Sequence, residues 1–103
     1  LEQCVFLELK RKGDEVYYYK TKNNKEVDFL VRQQSRKKDL IQVCWDLSDE
    51  NTKKREFDSL TQAMNELKLT NGLILTYNKN QEIQFKNKTI TLMPVFKWLF
   101  DSE

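Results

Sequence analysis

A strand–helix–strand pattern in the middle of the chain constrains its fold more than any other feature. Residues 39–47 alternate between apolar and polar side chains, residues 51–67 repeat apolar side chains at helical spacing, and residues 73–77 are largely apolar. Two strands joined through such a helix pair in parallel, and the connection is nearly always right-handed. The pattern therefore predicts an α/β fold, with the N-cap of the helix at Ser48, Asp49 or Asn51.

The flanking segments predict a mixed sheet with further strands and helices on both sides of this unit. Upstream we expect a helix over 1–12 that ends at Gly13, then a three-stranded meander whose first two strands are 16–20 and 25–32. Turns are expected at 21–24, where Asn23-Asn24 suits left-handed geometry, and at 33–38. Downstream, alternation of Ile83 with Phe85 and of Ile90 with Leu92 predicts a hairpin around 86–88, and a last helix has Pro94 in its first turn.

Side-chain periodicity assigns faces to these elements. On the first helix Leu1, Cys4, Val5 and Leu9 share the inward face, with the carboxylate of Glu8 in its middle. On the second strand Val27, Phe29 and Val31 are expected on one face and Asp28 on the other. On the third strand Gln42 and Cys44 share a face, opposite Ile41, Val43, Trp45 and Leu47. In the last helix we expect Phe96, Trp98 and Leu99 in the core, with Phe100 exposed; the alternative is docking on another domain.

Composition sets limits on the kind of protein. A chain of 103 residues with twelve aromatic residues and 39% hydrophobic content suits one folded domain over 1–103. Its 18 basic and 16 acidic residues leave a net charge of only +2, so any nucleic-acid contact must come from a local patch. Histidine is absent and the two cysteines are far apart, which excludes zinc fingers and Cys-His nucleophile pairs. We expect both thiols to be buried in a reducing compartment.

Four residues resemble a metal-dependent nuclease site in their positions but lack its full chemistry. Glu8 and Asp28 offer the carboxylates that hold Mg²⁺, whereas Gln42 and Cys44 stand where a further carboxylate and a lysine would be needed. The sequence therefore predicts a degenerate site with no metal and no catalysis. Each residue also has a purely structural interpretation: Glu8 paired with Lys12 or a strand lysine, Asp28 solvated on an edge strand, Gln42 satisfied in the core and Cys44 packed there.

Basic clusters supply candidates for contacts with nucleic acid. They comprise residues 20–25, 32–38 and 53–55. Among them we favour Lys53, Lys54 and Arg55, because the N–H groups at the start of the second helix add to the attraction for phosphate. The alternative is that each cluster is an ordinary solvated surface.

The order of elements, together with Glu8 and Asp28, resembles the PD-(D/E)xK nuclease superfamily. A closer resemblance rests on the run Leu1-Glu2 through Phe6-Leu7-Glu8-Leu9, on Lys25-Glu26-Val27-Asp28-Phe29, on Leu40-Ile41-Gln42-Val43-Cys44 and on the ending Met93-Pro94-Val95-Phe96-Lys97-Trp98-Leu99. These segments resemble the C-terminal domain of unknown function that follows the core of an AAA-type ATPase family of archaea and bacteria. The resemblance covers nearly the whole chain. It implies a restriction-endonuclease-like fold and an upstream ATPase domain in the same chain, and it implies no established reaction.

These observations lead to one functional expectation and two alternatives. We expect a catalytically degenerate, nuclease-like accessory domain of an AAA-type ATPase that is not itself an enzyme, needs no cofactor and binds nucleic acid or protein. The alternatives are a weak Mg²⁺- or Mn²⁺-dependent DNA nuclease, in which Lys53 or Lys54 substitutes for the missing lysine, and a module that only docks proteins. DNA is a candidate partner and a membrane is not, because no segment has about 20 consecutive apolar residues. We therefore expect a cytoplasmic location.

Overall fold

The computed structural model describes residues 2–33 and 35–101, and over these residues the chain folds as a three-layer α/β domain. Leu1, expected on the first helix, lies outside them. The elements, in chain order, are α1 Glu2–Arg11, β1 Glu15–Lys20, β2 Glu26–Arg32, β3 Lys38–Val43, α2 Glu50–Leu67, β4 Asn71–Thr76, β5 Gln81–Phe85, β6 Lys88–Pro94 and α3 Val95–Asp101.

One mixed sheet with the order β1-β2-β3-β4-β6-β5 forms the middle layer. The first three strands form the expected antiparallel meander, and β3 and β4 pair in parallel as the strand–helix–strand pattern predicts. The strand β6 then pairs in parallel with β4 and antiparallel with β5, so the hairpin places its second strand inside the sheet. The α/β class and the mixed sheet are confirmed.

Helices cover both faces of the sheet and create two separate cores. Helix α2 packs against β2, β3 and β4 over a cluster that includes Phe57, Leu60 and Met64. Helices α1 and α3 cover the opposite face over a second cluster, which includes Val5, Leu9 and Val95. None of the helices in the described part of the chain has the length and hydropathy needed to cross a membrane.

Turn and cap residues largely follow the expected chemistry. Gly13 follows α1 with a φ of 83°, and Asn24 has a φ of 63° in the first hairpin turn. Among the three candidates for the α2 N-cap it is Asp49 whose carboxylate accepts a hydrogen bond from the N–H of Thr52, at 3.0 Å. Pro94 ends β6 and directly precedes α3, so its expected place inside the helix was wrong by one residue.

The third strand is shorter than its alternation pattern predicted. It ends at Val43, and residues 44–49 form the connection to α2. Beyond Val43 the alternation no longer describes the structure: Leu47 packs with Leu40 in the core under α2, although the pattern placed it with Ile41 on the opposite face. The prediction of one strand over 39–47 was therefore wrong after residue 43.

A β-bulge in β2 overturns the predicted faces of that strand. Tyr17 pairs with Leu30 and Tyr19 with Val27, so two residues of β2, Asp28 and Phe29, oppose one residue of β1. As a result Val27 joins the core under α2, while Phe29 and Val31 pack on the other side of the sheet. Sequence periodicity assumes a regular strand and cannot register the extra residue.

The burial of the two cysteines and of α3 differs in part from the prediction. Cys4 is exposed and Cys44 is half-buried, so the prediction that both thiols are buried was wrong. In α3 the exposure of Phe100 is confirmed, at 74%, but Phe96 is also exposed, at 55%. Phe96 and Phe100 are four residues apart and therefore share one flank of the helix, since Val95, Trp98 and Leu99 take the inward positions.

Candidate functional site

The candidate site lies where β2 and β3 separate. Their backbone register runs from Arg32 opposite Lys38 to Phe29 opposite Ile41. Beyond Phe29 the bulge turns β2 away, and two side chains take over the hydrogen bonding between the strands. The N–H of Asp28 donates to Oε1 of Gln42 at 2.7 Å, and the N–H of Val43 donates to Oδ2 of Asp28 at 2.8 Å. The two strands are thus joined by a clasp made of Asp28 and Gln42.

Gln42 is the central residue of this clasp. Its side chain is only 2% exposed and uses both ends of the amide. Besides accepting from Asp28, it donates through Nε2 to the backbone oxygen of Glu26 at 3.2 Å and to Oε2 of Glu56 in α2 at 2.8 Å. An amide can accept and donate at once, whereas an ionised carboxylate can only accept. The position is therefore fitted to glutamine.

Burial and the neighbouring carboxylates raise the pKa of two acids at the clasp, Asp28 and Glu56. Burial, followed by the negative charges of Glu2, Glu56 and Glu26, raises the pKa of Asp28 to about 6, against the lowering effect of the Val43 N–H. Burial also raises the pKa of Glu56, with the Arg55 charge and the Gln42 hydrogen bond acting in the opposite direction. The site is consequently an acidic cleft in which protons bind more readily than usual.

Cys44 does not supply a substitute for the missing lysine. It lies just beyond the end of β3, and its Sγ is 3.5 Å from the backbone oxygen of Asp46. Burial is the main cause that raises the pKa of the thiol, with the negative charge of Glu56 adding to it. The thiol is therefore neutral at ordinary pH and cannot stabilise a developing negative charge as an ammonium group would.

Glu8 lies on α1 and forms an ion pair with Arg11, at 2.5 Å between Oε2 and Nη2. The α1 carboxylate whose charge raises the pKa of Asp28 is Glu2, about a turn and a half earlier in the helix. Asp28 and Gln42 are thus in direct contact, Cys44 lies beside them, and the α1 acid next to Asp28 is Glu2. The structural interpretation of Glu8 paired it with Lys12 or a strand lysine. Its partner in the structure is Arg11.

A divalent metal ion does not fit the clasp as it is arranged. Mg²⁺ in such a site would need the oxygens of Asp28 and of residue 42, yet Oδ2 of Asp28 and Oε1 of Gln42 each accept a backbone N–H. Within residues 2–33 and 35–101, no group of three or more acidic or cysteine side chains is arranged to hold a metal ion. A metal ion there would share oxygens that already accept the hydrogen bonds joining β2 to β3.

Comparison with known proteins decides the family of the chain. Residues 1–98 match the family described as "Domain of unknown function (DUF4143)". The chain belongs to this family. It is also similar to the uncharacterized protein MJ1544 of Methanocaldococcus jannaschii, with 39% identity over 107 residues that cover 95% of this chain. The chain spans 24% of the length of that relative. No solved structure matches it.

The predicted nucleic-acid residues of α2 are divided between two surfaces. Lys53 is half-buried, with its ammonium group 5.7 Å from the centre of the Phe57 ring. Lys53 and Lys54 line a groove beside Phe85 of β5, on the side of α2 that faces away from the clasp. Arg55 instead lies close enough to Cys44 and Glu56 for its positive charge to lower the pKa of both groups. The structure thus places Lys53 and Lys54 on one surface and Arg55 on another, and their binding to nucleic acid stays a prediction.

Sequence reasoning missed Glu56 and Glu2. A signal for Glu56 was present, because Glu56 precedes Leu60 by four residues and Ala63 by seven, which places it on the inward face of the helix. A carboxylate at such a position needs a partner, and Gln42 is that partner. No comparable signal identifies Glu2, since its proximity to Asp28 depends on how α1 lies over the sheet.

Proposed function

We propose that this chain is a catalytically degenerate, nuclease-like accessory domain of an AAA-type ATPase, and that it binds a partner instead of cleaving phosphodiesters. In this proposal the PD-(D/E)xK-like scaffold is retained, and the former catalytic cleft has become the clasp between β2 and β3.

The observation that carries the proposal is the triple hydrogen bonding of Gln42. An amide that accepts from Asp28 and donates to Glu26 and Glu56 holds the strands together and leaves its oxygen engaged. The Asp28 oxygen bound to Val43 is engaged in the same way. Loss of one electrostatic stabiliser commonly lowers an enzyme's rate by about 10²- to 10³-fold, and here both the third carboxylate and the lysine are missing.

Association with an ATPase is supported by the sequence resemblance and by the length of the archaeal relative. That relative is about four times as long as the part this chain matches. A domain that occupies a fraction of a longer protein is suited to an accessory role. The ATPase itself is expected from the resemblance alone.

A cleavage assay tests the proposal. The chain is incubated with Mg²⁺ or Mn²⁺ and with labelled single- or double-stranded DNA, beside an Asp28→Ala variant as the matched control. The proposal predicts the same background level of cleavage for both proteins. Cleavage by the unmodified chain that Asp28→Ala abolishes would overturn it.

A weak nuclease is the second candidate function, and one observation favours it. Arg55 acts electrostatically on both Cys44 and Glu56, so a permanent cation is near the position of the missing lysine. In this alternative Arg55, and not Lys53 or Lys54, stabilises the developing charge. Arg55→Gln would then remove the cleavage, whereas Lys54→Gln would leave it intact.

Protein docking is the third candidate. The exposed flank of α3, formed by Phe96 and Phe100, favours it because neighbouring exposed aromatic side chains can mark a protein interaction site. A domain that only docks proteins would show no affinity for DNA even at low salt.

A further inference from the structure

The two ends of the sheet carry opposite charge. At the end where β2 begins and β3 finishes, the clasp is surrounded by Glu2, Glu26 and Glu56, whose negative charges all raise the pKa of Asp28. At the other end, β2 finishes with Arg32 and β3 begins with Lys38. Strand β2 has seven residues, so about 20 Å separates the two ends. A phosphate backbone is repelled at the acidic end and attracted at the opposite one.

Six exposed cations lie at the opposite end, which we call the basic end. Apart from Arg11, which pairs with Glu8, they come from the end of α1 and the turn after it and from the β2–β3 hairpin: Lys10, Lys12, Arg32, Arg36, Lys37 and Lys38. The two segments are neighbours, since the positive charge of Lys10 helps to lower the pKa of Glu15 and Arg32 forms an ion pair with the same carboxylate at 3.1 Å. The basic end is therefore a single surface.

The chain holds these cations at some expense of stability. Arg32 and Lys38 are directly opposite each other across β2 and β3, and like charges in that position are destabilising, although the ion pair of Arg32 with Glu15 offsets part of the repulsion. Arg36 has a φ of 68°, a left-handed conformation that disfavours a residue with a Cβ atom. A neutral pair and a glycine would fold more easily at these positions. An anionic partner would offset the repulsion between the like charges.

A cavity of about 330 Å³ opens between the two cationic segments. Leu73, Met93 and the half-buried indole of Trp98 contribute an apolar floor, and Lys12 lies 5.1 Å over the Trp98 ring. The walls carry Asp14, Gln33 and Asp39, with Gln33 Nε2 donating to Asp39 Oδ2 at 2.6 Å. Carboxylates inside the cavity disfavour a phosphate there but can accept hydrogen bonds from the amino groups of a base.

We propose that the basic end binds single-stranded nucleic acid, with phosphates against the cationic segments and a base in the cavity beside Trp98. The inference rests on the proposed binding function and names its partner. Unpaired bases can leave their stack and enter an aromatic-lined cavity, whereas the bases of a duplex are covered. A lipid surface is flat and has no planar aromatic group that could enter the cavity. The α2 cations Lys53 and Lys54 have no part in this contact.

The test is a salt titration of the 103-residue chain with a fluorescently labelled single-stranded oligonucleotide. The variant Lys37→Gln/Lys38→Gln removes two charges from the basic end, and Lys53→Gln/Lys54→Gln removes two from α2 as the matched control. Affinity should fall steeply with salt, and each lost phosphate contact should make the log–log slope shallower by about 0.7. We expect a change of about 1.4 for the hairpin variant and none for the control. Equal effects of the two variants would overturn the proposal.

Further arms distinguish the other anionic partners. A duplex of the same sequence and phosphatidylserine vesicles should each bind at least tenfold more weakly than the single strand. Equal or tighter binding of either one would refute the single-strand proposal in favour of that partner. Absence of any DNA binding at low salt, with the thermal melt of the chain normal, would also refute it.

Tryptophan fluorescence tests the cavity separately. The chain has two tryptophans, so Trp45→Phe leaves Trp98 as the reporter. Oligonucleotide binding should quench Trp98 in this variant. In the reciprocal Trp98→Phe variant, at oligonucleotide concentrations where the label shows that it is bound, Trp45 should be unchanged; the opposite pattern would place the strand at the acidic end. These outcomes are separate from the cleavage assay, because a domain that neither cuts nor binds DNA would refute this inference and leave the loss of catalysis standing.

Discussion

Residue 42 shows how one side chain can determine what a site is able to do. A glutamate there would present only acceptors to the backbone oxygen of Glu26 and to the carboxylate of Glu56, which are 3.2 Å and 2.8 Å from Nε2 of Gln42. Glutamine converts both contacts from repulsive to attractive. The same amide oxygen that a metal ion would use is bound to the N–H of Asp28. The hydrogen bonds of the clasp and a metal ion would therefore compete for the same oxygen atom of Gln42.

Gln42→Glu should destabilise the fold in a pH-dependent way. At pH 8 the new carboxylate faces Glu56 without a donor, and we expect the free energy of unfolding to fall by about 2–3 kcal/mol. At pH 5 a protonated glutamic acid can donate, so the loss should be smaller. Urea denaturation at both pH values measures the difference, with Gln81→Glu on the exposed edge strand as the control. An equal loss at both pH values would mean that residue 42 does not donate to Glu56.

Asp28 should give the fold a measurable pH dependence. Its pKa is raised from 3.8 to about 6, so the folded state binds the proton more tightly than the unfolded chain. Stability contributed by this group is present below pH 3.8 and is lost as pH rises through 6. The carboxylate is only half-buried, so solvent screening reduces the expected effect to about 1–2 kcal/mol.

The variant Asp28→Asn isolates this contribution, because its amide oxygen can still accept from the N–H of Val43. Subtracting the unfolding free energies of the two proteins cancels other titrating groups. The variant should gain stability relative to the parent between pH 4 and pH 7. A difference that stays constant over this range would contradict the raised pKa.

At the scale of the elements, local patterns predicted most of the fold and failed where the sheet is irregular. The helical spacing of α2 and the apolar run of β4 specify their own structure, and the parallel pairing of β3 with β4 follows from them. The bulge at Asp28-Phe29 and the end of β3 at Val43 depend on side chains from different strands. Those contacts form only in the folded sheet, so no window of sequence around either residue contains the information.

The start of α2 offers a test of a local signal. Asp49 accepts hydrogen bonds from both the N–H and the hydroxyl of Thr52, whereas Ser48 is the neighbouring candidate that the structure does not use as the cap. Asp49→Ala should lower the free energy of unfolding by about 1 kcal/mol, and Ser48→Ala by less than about 0.5 kcal/mol. Thermal denaturation of the two variants provides the comparison. A larger loss of stability for Ser48→Ala than for Asp49→Ala would identify Ser48 as the N-cap.

The packing of α2 on β4 depends on the absence of a side chain at Gly72. A Cβ atom there would lie 2.8 Å from Cδ2 and 3.0 Å from Cγ of Leu60, which is fully buried. Gly72→Ala should therefore destabilise the fold by about 1–3 kcal/mol, while Asn71→Ala on the same strand should not. In a Leu60→Val background the loss from Gly72→Ala should shrink. An unchanged loss in the double-mutant cycle would show that the two residues do not clash.

For the whole molecule, the separation of charge between the two ends of the sheet could not be read from a net charge of +2. The fold brings together acids from α1, β2 and α2 at one end and cations from α1 and the β2–β3 hairpin at the other. The sequence did predict that Asp28 and Gln42 would be close, because adjacent strands carry them. Glu56 and Glu2 joined them only through the way the helices cross the sheet.

Calorimetric titration with Mn²⁺ tests most directly whether the clasp has replaced the metal site. Because Asp28 and Gln42 are bound to backbone N–H groups, we expect no binding heat at millimolar Mn²⁺, for the parent chain and for Asp28→Ala alike. Saturable binding by the parent chain that Asp28→Ala removes would contradict it, because the oxygens of the clasp would then be available to a metal ion.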